Sequence, residues 1–311
     1  MKWKLERELA LIACGLLSAA CDDPLAEAQI IEATRVLGAR VSVEDDAERA
    51  WPRPGERAEV SWLVASPRPP RPFGWAFSVC VAAPTTQGIP ECAAAPFAEF
   101  HSEELGTAAP SFAFVTPDEA ALGSAERLLV RGVVCTDEQP VLAEPIEHTR
   151  CAEELRLAVM PVGIERDSGN RNPSLVDEPL AFAGSEWPAP AAEWLDRDDC
   201  SASDAGPSLP LVSANGPKQR IALQLSENDR EPARSLGKDS FEELWLSHFA
   251  DRGRLARALS IFEPDTSDLS VELDWQPPRR VEGGKVVRFY FVARDLRGGA
   301  DWTLRTACAV P

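Results

Sequence analysis

Cysteine, histidine and carboxylate are the side chains here whose chemistry goes beyond packing, and the cysteines have the most informative spacing. They are Cys14, Cys21, Cys80, Cys92, Cys135, Cys151, Cys200 and Cys308. In LLSAACDD, residues 16–23, Cys21 follows Ser18, Ala19 and Ala20, small residues that a signal peptidase accepts. A thiol in that position is an acceptor for a diacylglyceryl group, which would anchor the chain to a membrane. LIAC at 11–14 spells a lipobox better, with Leu11 three before Cys14. Cleavage there leaves only residues 9–13 as an apolar run, whereas residues 9–20 are uncharged ahead of Cys21. An ordinary cut after Ala20, leaving a free thiol, is the alternative. Parity favours lipid: with Cys14 removed and Cys21 acylated, six cysteines are left to pair in an oxidising compartment.

The other chemistry-bearing residues are less pointed. His101 has Glu103 and Glu104 beside it in HSEEL, but no two of His101, His148 and His248 lie at helical ligand spacing. A solvated loop accounts for HSEEL without a metal. Asp196, Asp198, Asp199 and Asp204 offer the oxygens that Ca²⁺ prefers, without the alternating ligands and glycine of an EF-hand loop. A solvated linker is the simpler reading. CxxC, HExxH, GxGxxG, the P-loop and GxSxG are absent. No catalytic, cofactor-binding or metal-ligating residue is therefore assigned. A pair of hydrolytic carboxylates far apart in sequence is the rival chemistry. The net charge is −18, and the first twenty residues hold three bases and two acids, leaving −19 on the remainder. Phosphate backbones repel such a chain, so no nucleic-acid partner is expected.

These residues need elements to hold them. Lys2, Lys4 and Arg7 precede the apolar run, so residues 1–20 read as a lipoprotein signal peptide, too short to span a bilayer. Beyond it, 27 prolines argue against long helices. Short alternating runs predict strands at 31–43, 58–65, 74–82, 111–115, 127–135 and 155–162, then at 209–214, 219–225, 255–262, 268–275, 285–294 and 301–310. AEVSWLVAS, 58–66, sets Val60, Trp62 and Val64 on one face, with Trp62 as core. Residues 241–249, FEELWLSHF, fit either a helix or a strand, and the strand is favoured. ARDLRGGAD, 293–301, predicts a hairpin turn.

The pattern is all-β: two immunoglobulin-like antiparallel sandwiches over 28–165 and 205–311, joined by a polar, proline-rich linker over 166–204. Trp187 and Trp194 in that linker either cover the joint between the sandwiches, the preferred reading, or stand exposed as platforms for sugar or protein. Six cysteines allow 15 pairings. The nearest-neighbour set, Cys80–Cys92, Cys135–Cys151 and Cys200–Cys308, keeps each bond within one sandwich and is preferred.

TRVLGARV (34–41), PGERAEVSWLV (54–64), NRNPSL (170–175) and FYFVARDLRGGADWTLRTACAV (289–310) together resemble a group of poorly characterised bacterial lipoproteins. The resemblance implies tandem immunoglobulin-like sandwiches behind a lipidated cysteine, and no catalytic residues. The expectation is a lipid-anchored envelope protein, a structural or protein- or glycan-binding module, with an envelope hydrolase as the alternative. Asp22, next to the anchor, resembles an inner-membrane retention signal of some bacteria; because that rule is not general, the outer membrane or surface is favoured.

Overall fold

The computed structural model describes residues 28–67, 70–84, 88–144, 148–152, 157–175, 179–226, 230–232 and 241–311. The expected signal peptide and Cys21 lie outside the described residues. The chain is all-β, and its strands pack as β-sandwich layers. The first seven are β1 (Arg35–Val43), β2 (Arg57–Ala65), β3 (Phe73–Val81), β4 (Ala98–His101), β5 (Ser111–Val115), β6 (Arg127–Thr136) and β7 (Leu157–Gly163). They form an antiparallel sheet in the order β1-β2-β5 and a second in the order β4-β3-β6-β7. Alternation decides which side chains face inward. In β2, Ala58, Val60 and Trp62 join one core with Phe77, Val79, Leu128, Val130 and Met160 from the facing sheet. Trp62 stacks on Phe77 at 4.6 Å between ring centroids.

The second sheet pair uses β8 (Leu180–Phe182), β9 (Ser185–Glu186), β10 (Asp199–Cys200), β11 (Leu211–Ser213), β12 (Gln219–Gln224), β13 (Leu244–Ala250), β14 (Arg254–Leu255), β15 (Leu259–Phe262), β16 (Ser270–Gln276), β17 (Gly284–Arg294) and β18 (Ala300–Val310). One sheet runs β11-β18-β17-β13-β15 with β10 on β17, and the other β14-β16-β12-β8-β9. Residues 241–249 contribute a strand, β13, whose burial alternates strictly from Leu244 to Ala250. The single strand expected over 255–262 is instead two. β14 pairs with β16 in one sheet and β15 with β13 in the other.

The linker expectation for 166–204 is corrected by the structure. β8 pairs with β12, and Leu175, Leu180, Phe182 and Trp187 enter the second core. Trp187 lies edge-on to Phe289, and its indole N–H donates to the Thr306 carbonyl at 2.9 Å. Trp194 packs with Cys200, Leu209, Val286 and Cys308. Neither tryptophan covers the joint or forms an exposed platform, because each has a large apolar surface that only the second sheet pair can bury. Asp198 is likewise no solvated linker acid. It accepts from Arg252 at 2.5 Å and Lys285 at 3.0 Å, and burial working against these bonds still leaves its carboxyl below the usual range.

Three disulfides are formed, Cys80–Cys92, Cys135–Cys151 and Cys200–Cys308, the nearest-neighbour set. The first two tie β3 and β6 each to the connection that follows it. The third, across 108 residues, joins β10 to β18.

The joint between the sheet pairs is apolar. Ile31, Leu37, Leu63 and Ala65 from around β1 and β2 meet Tyr290 and Val292 of β17, with Phe249, Trp302 and Leu304 at the margin. Leu63 shows why both faces of β2 carry apolar residues: one faces the core, the other the joint. A Cβ on Gly38 would sit 3.2 Å from Val292 Cγ1 and 3.5 Å from the Trp302 ring, so β1 meets β17 and β18 closely there. The chain entering β1 is held to the second sheet pair as well: the Gln29 amide donates to the Leu255 carbonyl at 2.6 Å and Ile31 N to the Ala250 carbonyl at 3.0 Å.

Candidate functional site

Along one side of this joint runs a strap, residues 164–175, that contains NRNPSL. Asparagine suits such a place because each side chain offers one acceptor and two donors to backbone groups that no strand pairs. Asn172 donates to the Val41 carbonyl at 2.7 Å and accepts from Ala300 N at 3.0 Å, so one amide bridges both sheet pairs. Leu175 N donates to Asp301 Oδ2 at 2.7 Å, and Arg40 reaches Asp301 Oδ1 at 2.7 Å. Asn170 donates through Nδ2 to Asp295 Oδ2 at 2.6 Å, while its own carbonyl accepts from Ala50 N at 2.8 Å.

Asp295 opens the β17–β18 turn, as its sequence predicts. Its Oδ1 accepts from the backbone N–H groups of Arg297, Gly298 and Gly299 at 2.8, 3.0 and 2.8 Å. Gly298 has φ of 112°, a conformation that L side chains rarely adopt. At Gly299 a Cβ would meet the Arg171 carbonyl oxygen at 2.6 Å, so the strap and the turn lie too close for a larger residue.

Strap and turn form one wall of a cleft of about 650 Å³, closed on the other side by Arg49, Glu231, Pro232 and Glu242. Arg297 spans it. It donates to Glu231 Oε2 at 2.9 Å and to the Gly169 carbonyl at 2.6 Å, approaches Glu242 Oε2 at 3.6 Å, and lies 5.1 Å over the Trp51 ring. Arg49 divides itself between Glu165 and Glu56, each at 3.0 Å, and Arg53 bonds Glu165 at 2.7 Å. Arg171 pairs with Glu48 and, at 3.5 Å, with Asp46. Arg230 holds the backbone beneath Glu242 by donating to the carbonyls of Glu242, Glu263 and Thr266.

Among the described residues, two acceptors of residues at this cleft have no hydrogen-bond partner, Asn170 Oδ1 in the strap and Glu242 Oε2 on the other side. Asn170 is 1% exposed and Glu242 7% exposed. The other Glu242 oxygen accepts from Glu231 N at 3.0 Å. Burial pushes the Glu242 carboxyl up to about 7, with the Asp295 and Glu231 charges adding to it and the Glu231 N–H and Arg297 opposing. Asp295 is raised for the same first reason, against the bonds from Asn170 and the turn. Buried carboxylates shifted in this way are a mark of sites that exchange or bind something.

The histidines fall elsewhere. His101 ends β4 and is exposed, with Glu103 and Glu104 in an exposed bend; His148 is exposed on a loop. His248 is fully buried, edge-on to Phe291, with neither ring nitrogen partnered. Among the described residues, the group of potential ligands within 4.8 Å of one another is Cys135, Glu138 and Cys151, and its two sulfurs are joined in a disulfide, so they offer no thiolate to a metal. A smaller hollow of about 400 Å³ lies between β1, β7 and the β17–β18 turn, lined by Trp62, Met160 and Leu296 among others. No helix among the described residues is long and apolar enough to cross a membrane.

No protein-family model matches the chain, and no curated protein does. Among solved structures, red sea bream transglutaminase is similar at 9% identity and a TM-score of 0.23, over 89% of this chain and 32% of that one. The chain thus spans about a third of that enzyme. The Clostridium thermocellum CbhA fibronectin(III)-like modules are similar at 12% identity and a TM-score of 0.19, over 87% of this chain and 93% of theirs. Likenesses this low carry no activity or partner across.

Proposed function

We propose that this chain is a lipid-anchored cell-envelope protein, two immunoglobulin-like sandwiches that act as a structural or protein- or glycan-binding module without catalysis. The observation that carries the reading is the fixed charge of the cleft. Glu165, Glu231, Arg49, Arg171 and Arg297 are each held by an opposite charge, which suits recognition by a preformed surface. Three disulfides fit an oxidising compartment. An N-acyl-diacylglyceryl group on Cys21 would supply enough acyl chain for stable attachment. Cys21 precedes Ala28 by seven residues, roughly 25 Å of extended chain at most. Because residues 29–31 are held to the second sheet pair, the anchor would keep the joint near the lipid surface.

The test is growth of the producing cells with a labelled fatty acid. The wild type takes up label and sediments with membranes, whereas Cys21→Ala does neither. Equal labelling of the two would sink the anchor. A second reading, an envelope hydrolase, is favoured by Glu242 alone, a carboxyl pushed up to about 7 beside Glu231 and so suited to act as a general acid. It requires that the purified protein cleave envelope glycan and that Glu242→Gln abolish the cleavage.

A further inference from the structure

The hollow of about 400 Å³ between β1, β7 and the β17–β18 turn has one charged side chain in its lining, Arg294. The other lining residues are glycine or carry apolar or indole side chains, among them Val36, Trp62, Leu157, Met160 and Leu296. Its walls are close at the turn, where a Cβ on Gly298 would lie 3.3 Å from the Pro161 carbonyl oxygen of β7. The volume falls within the range of small-molecule sites, about 300–1,000 Å³.

Arg294 is a cation that the fold leaves without an anion. It follows Tyr290 and Val292 on the joint-facing side of β17, because alternate residues of a strand share a face. Its guanidinium donates to Ser247 Oγ at 3.1 Å and to the Leu37 carbonyl, both neutral. Leu37 is skipped in the pairing of β1 with β2, and residues 36–38 form the β1 wall of the hollow, so the guanidinium lies against that wall. Among the described residues no carboxylate pairs with it, and burial alone holds its pKa below the usual guanidinium range. The carboxylates nearest in sequence are engaged elsewhere: Asp295 by Asn170 and three turn N–H groups, Asp301 by Leu175 N and Arg40. Arg294 nevertheless keeps part of its surface exposed. A cation out of bulk water without a counter-charge is costly, and an anion that reaches it removes that cost. The net −18 of the chain opposes anions only weakly here, because salt screens exposed charges beyond roughly 10 Å.

Leu296 adds an independent sign. Its φ is 61°, a conformation that a bulky side chain seldom takes, and its side chain is 55% exposed at the edge of the hollow. Neither backbone preference nor burial in the fold explains a leucine there, whereas an apolar ligand lying in the hollow would cover it.

We infer that this hollow binds a carboxylate with an apolar tail, of the class of the medium-chain fatty acids, with its head on the Arg294 guanidinium and its tail along Met160 and Leu296. A single cation in an otherwise apolar lining excludes a sugar, which needs several hydrogen-bonding partners, and an alkylammonium, which the cation repels. The inference depends neither on a lipid at Cys21 nor on the charged cleft beside the strap.

The test is calorimetric titration of the folded protein with decanoate, decanol, decylammonium and acetyl-alanyl-leucine, each below the concentration at which it aggregates. Wild type binds decanoate at one equivalent with a dissociation constant of about 0.1 mM or tighter. Decanol, which has the tail without the charge, binds about tenfold more weakly or less, and decylammonium more weakly still. Arg294→Met weakens decanoate about tenfold or more and leaves decanol unchanged, a difference that a general loss of structure would not produce. Leu296→Asn places at that turn a residue that tolerates positive φ, so its melting temperature does not fall while decanoate and decanol both weaken. This variant decides the matter if Arg294→Met fails to fold. No binding of decanoate by wild type, equal binding of decylammonium, or unaltered binding of decanoate in Leu296→Asn would each overturn the inference. Tighter binding of the leucine-terminated peptide than of decanoate would overturn the fatty-acid assignment in favour of a protein C-terminus.

Discussion

His248 and Glu242 make the stability of this protein respond to pH in opposite senses, and single substitutions should separate them. Burial holds His248 neutral, down to about 3 from an unfolded value near 6.5; the Arg257 guanidinium adds to this and the Arg257 backbone opposes it, without a hydrogen bond of acceptable geometry. The unfolded chain therefore binds a proton that the folded chain refuses. His248 costs nothing above 6.5 and destabilises progressively as pH falls toward 3. Between pH 7.5 and pH 5 the penalty is about 2 kcal/mol. Glu242 has a folded value of about 7 against 4.5 unfolded, so its contribution is fully present below 4.5 and is lost as pH rises through 7. Over the same interval it favours folding by about 2 kcal/mol, somewhat less for its partial contact with solvent. The two nearly cancel in the wild type. Urea unfolding of wild type, His248→Leu and Glu242→Gln at pH 7.5 and pH 5 reads the difference directly, since all other titrating groups are shared. His248→Leu should gain about 2 kcal/mol relative to wild type on acidification, and Glu242→Gln should lose a similar amount. Absolute stability also responds to packing in both variants, so the tilt with pH is the readout. If His248→Leu keeps the wild-type tilt, the imidazole is not excluded from protonation and the reasoning fails.

Two further outcomes concern the joint and the disulfide that closes the second sheet pair. Asn172→Ala strands the Val41 carbonyl and Ala300 N without partners, which should cost about 2–4 kcal/mol. The urea midpoint should fall with its slope unchanged, and a loss below about 1 kcal/mol would mean that the strap does not stitch the sheet pairs. Replacing Cys200 and Cys308 together by serine opens a 108-residue loop, worth about 4–5 kcal/mol in the chain-entropy account. Reversible unfolding that shows almost no difference would locate the bond in a region already ordered in the unfolded chain.

Strands were legible where one face is buried and the other is not, because a period of two then appears in the residue types themselves. β2 and β13 are of this kind. Leu63 marks the limit of the rule: its face of β2 looks solvent-directed from local pattern, and only the arrival of Tyr290 and Val292 buries it. Residues 255–262 alternate well enough for one strand, yet alternation says nothing about which sheet a residue joins, and the chain changes sheets between Leu255 and Leu259. The segment 166–204 misled for a different reason. Its apolar residues are spaced irregularly among Pro, Asp and Ala, so no period emerges. Trp187 is buried by Phe289 and Thr306, more than a hundred positions onward.

The cleft was hidden by the same distance, although both of its motifs were in plain view. NRNPSL falls in the expected linker and ARDLRGGAD reads as a turn, and the structure agrees that Asp295 makes a turn: one of its oxygens takes three backbone N–H groups. The other oxygen is free to do something local sequence cannot show. It engages Asn170 across 125 residues and so fixes the orientation of that amide. A residue selected for turn geometry thereby sets the polarity of a wall it does not line. The chemistry of the cleft follows from this division of one carboxylate between two duties. Its first duty keeps β17 and β18 paired up to the joint; its second leaves Asn170 Oδ1 buried without a hydrogen-bond partner. A search for paired catalytic side chains passes over such a site, because an unpartnered amide oxygen has no sequence signature, whereas an accounting of every buried polar atom in the fold finds it at once.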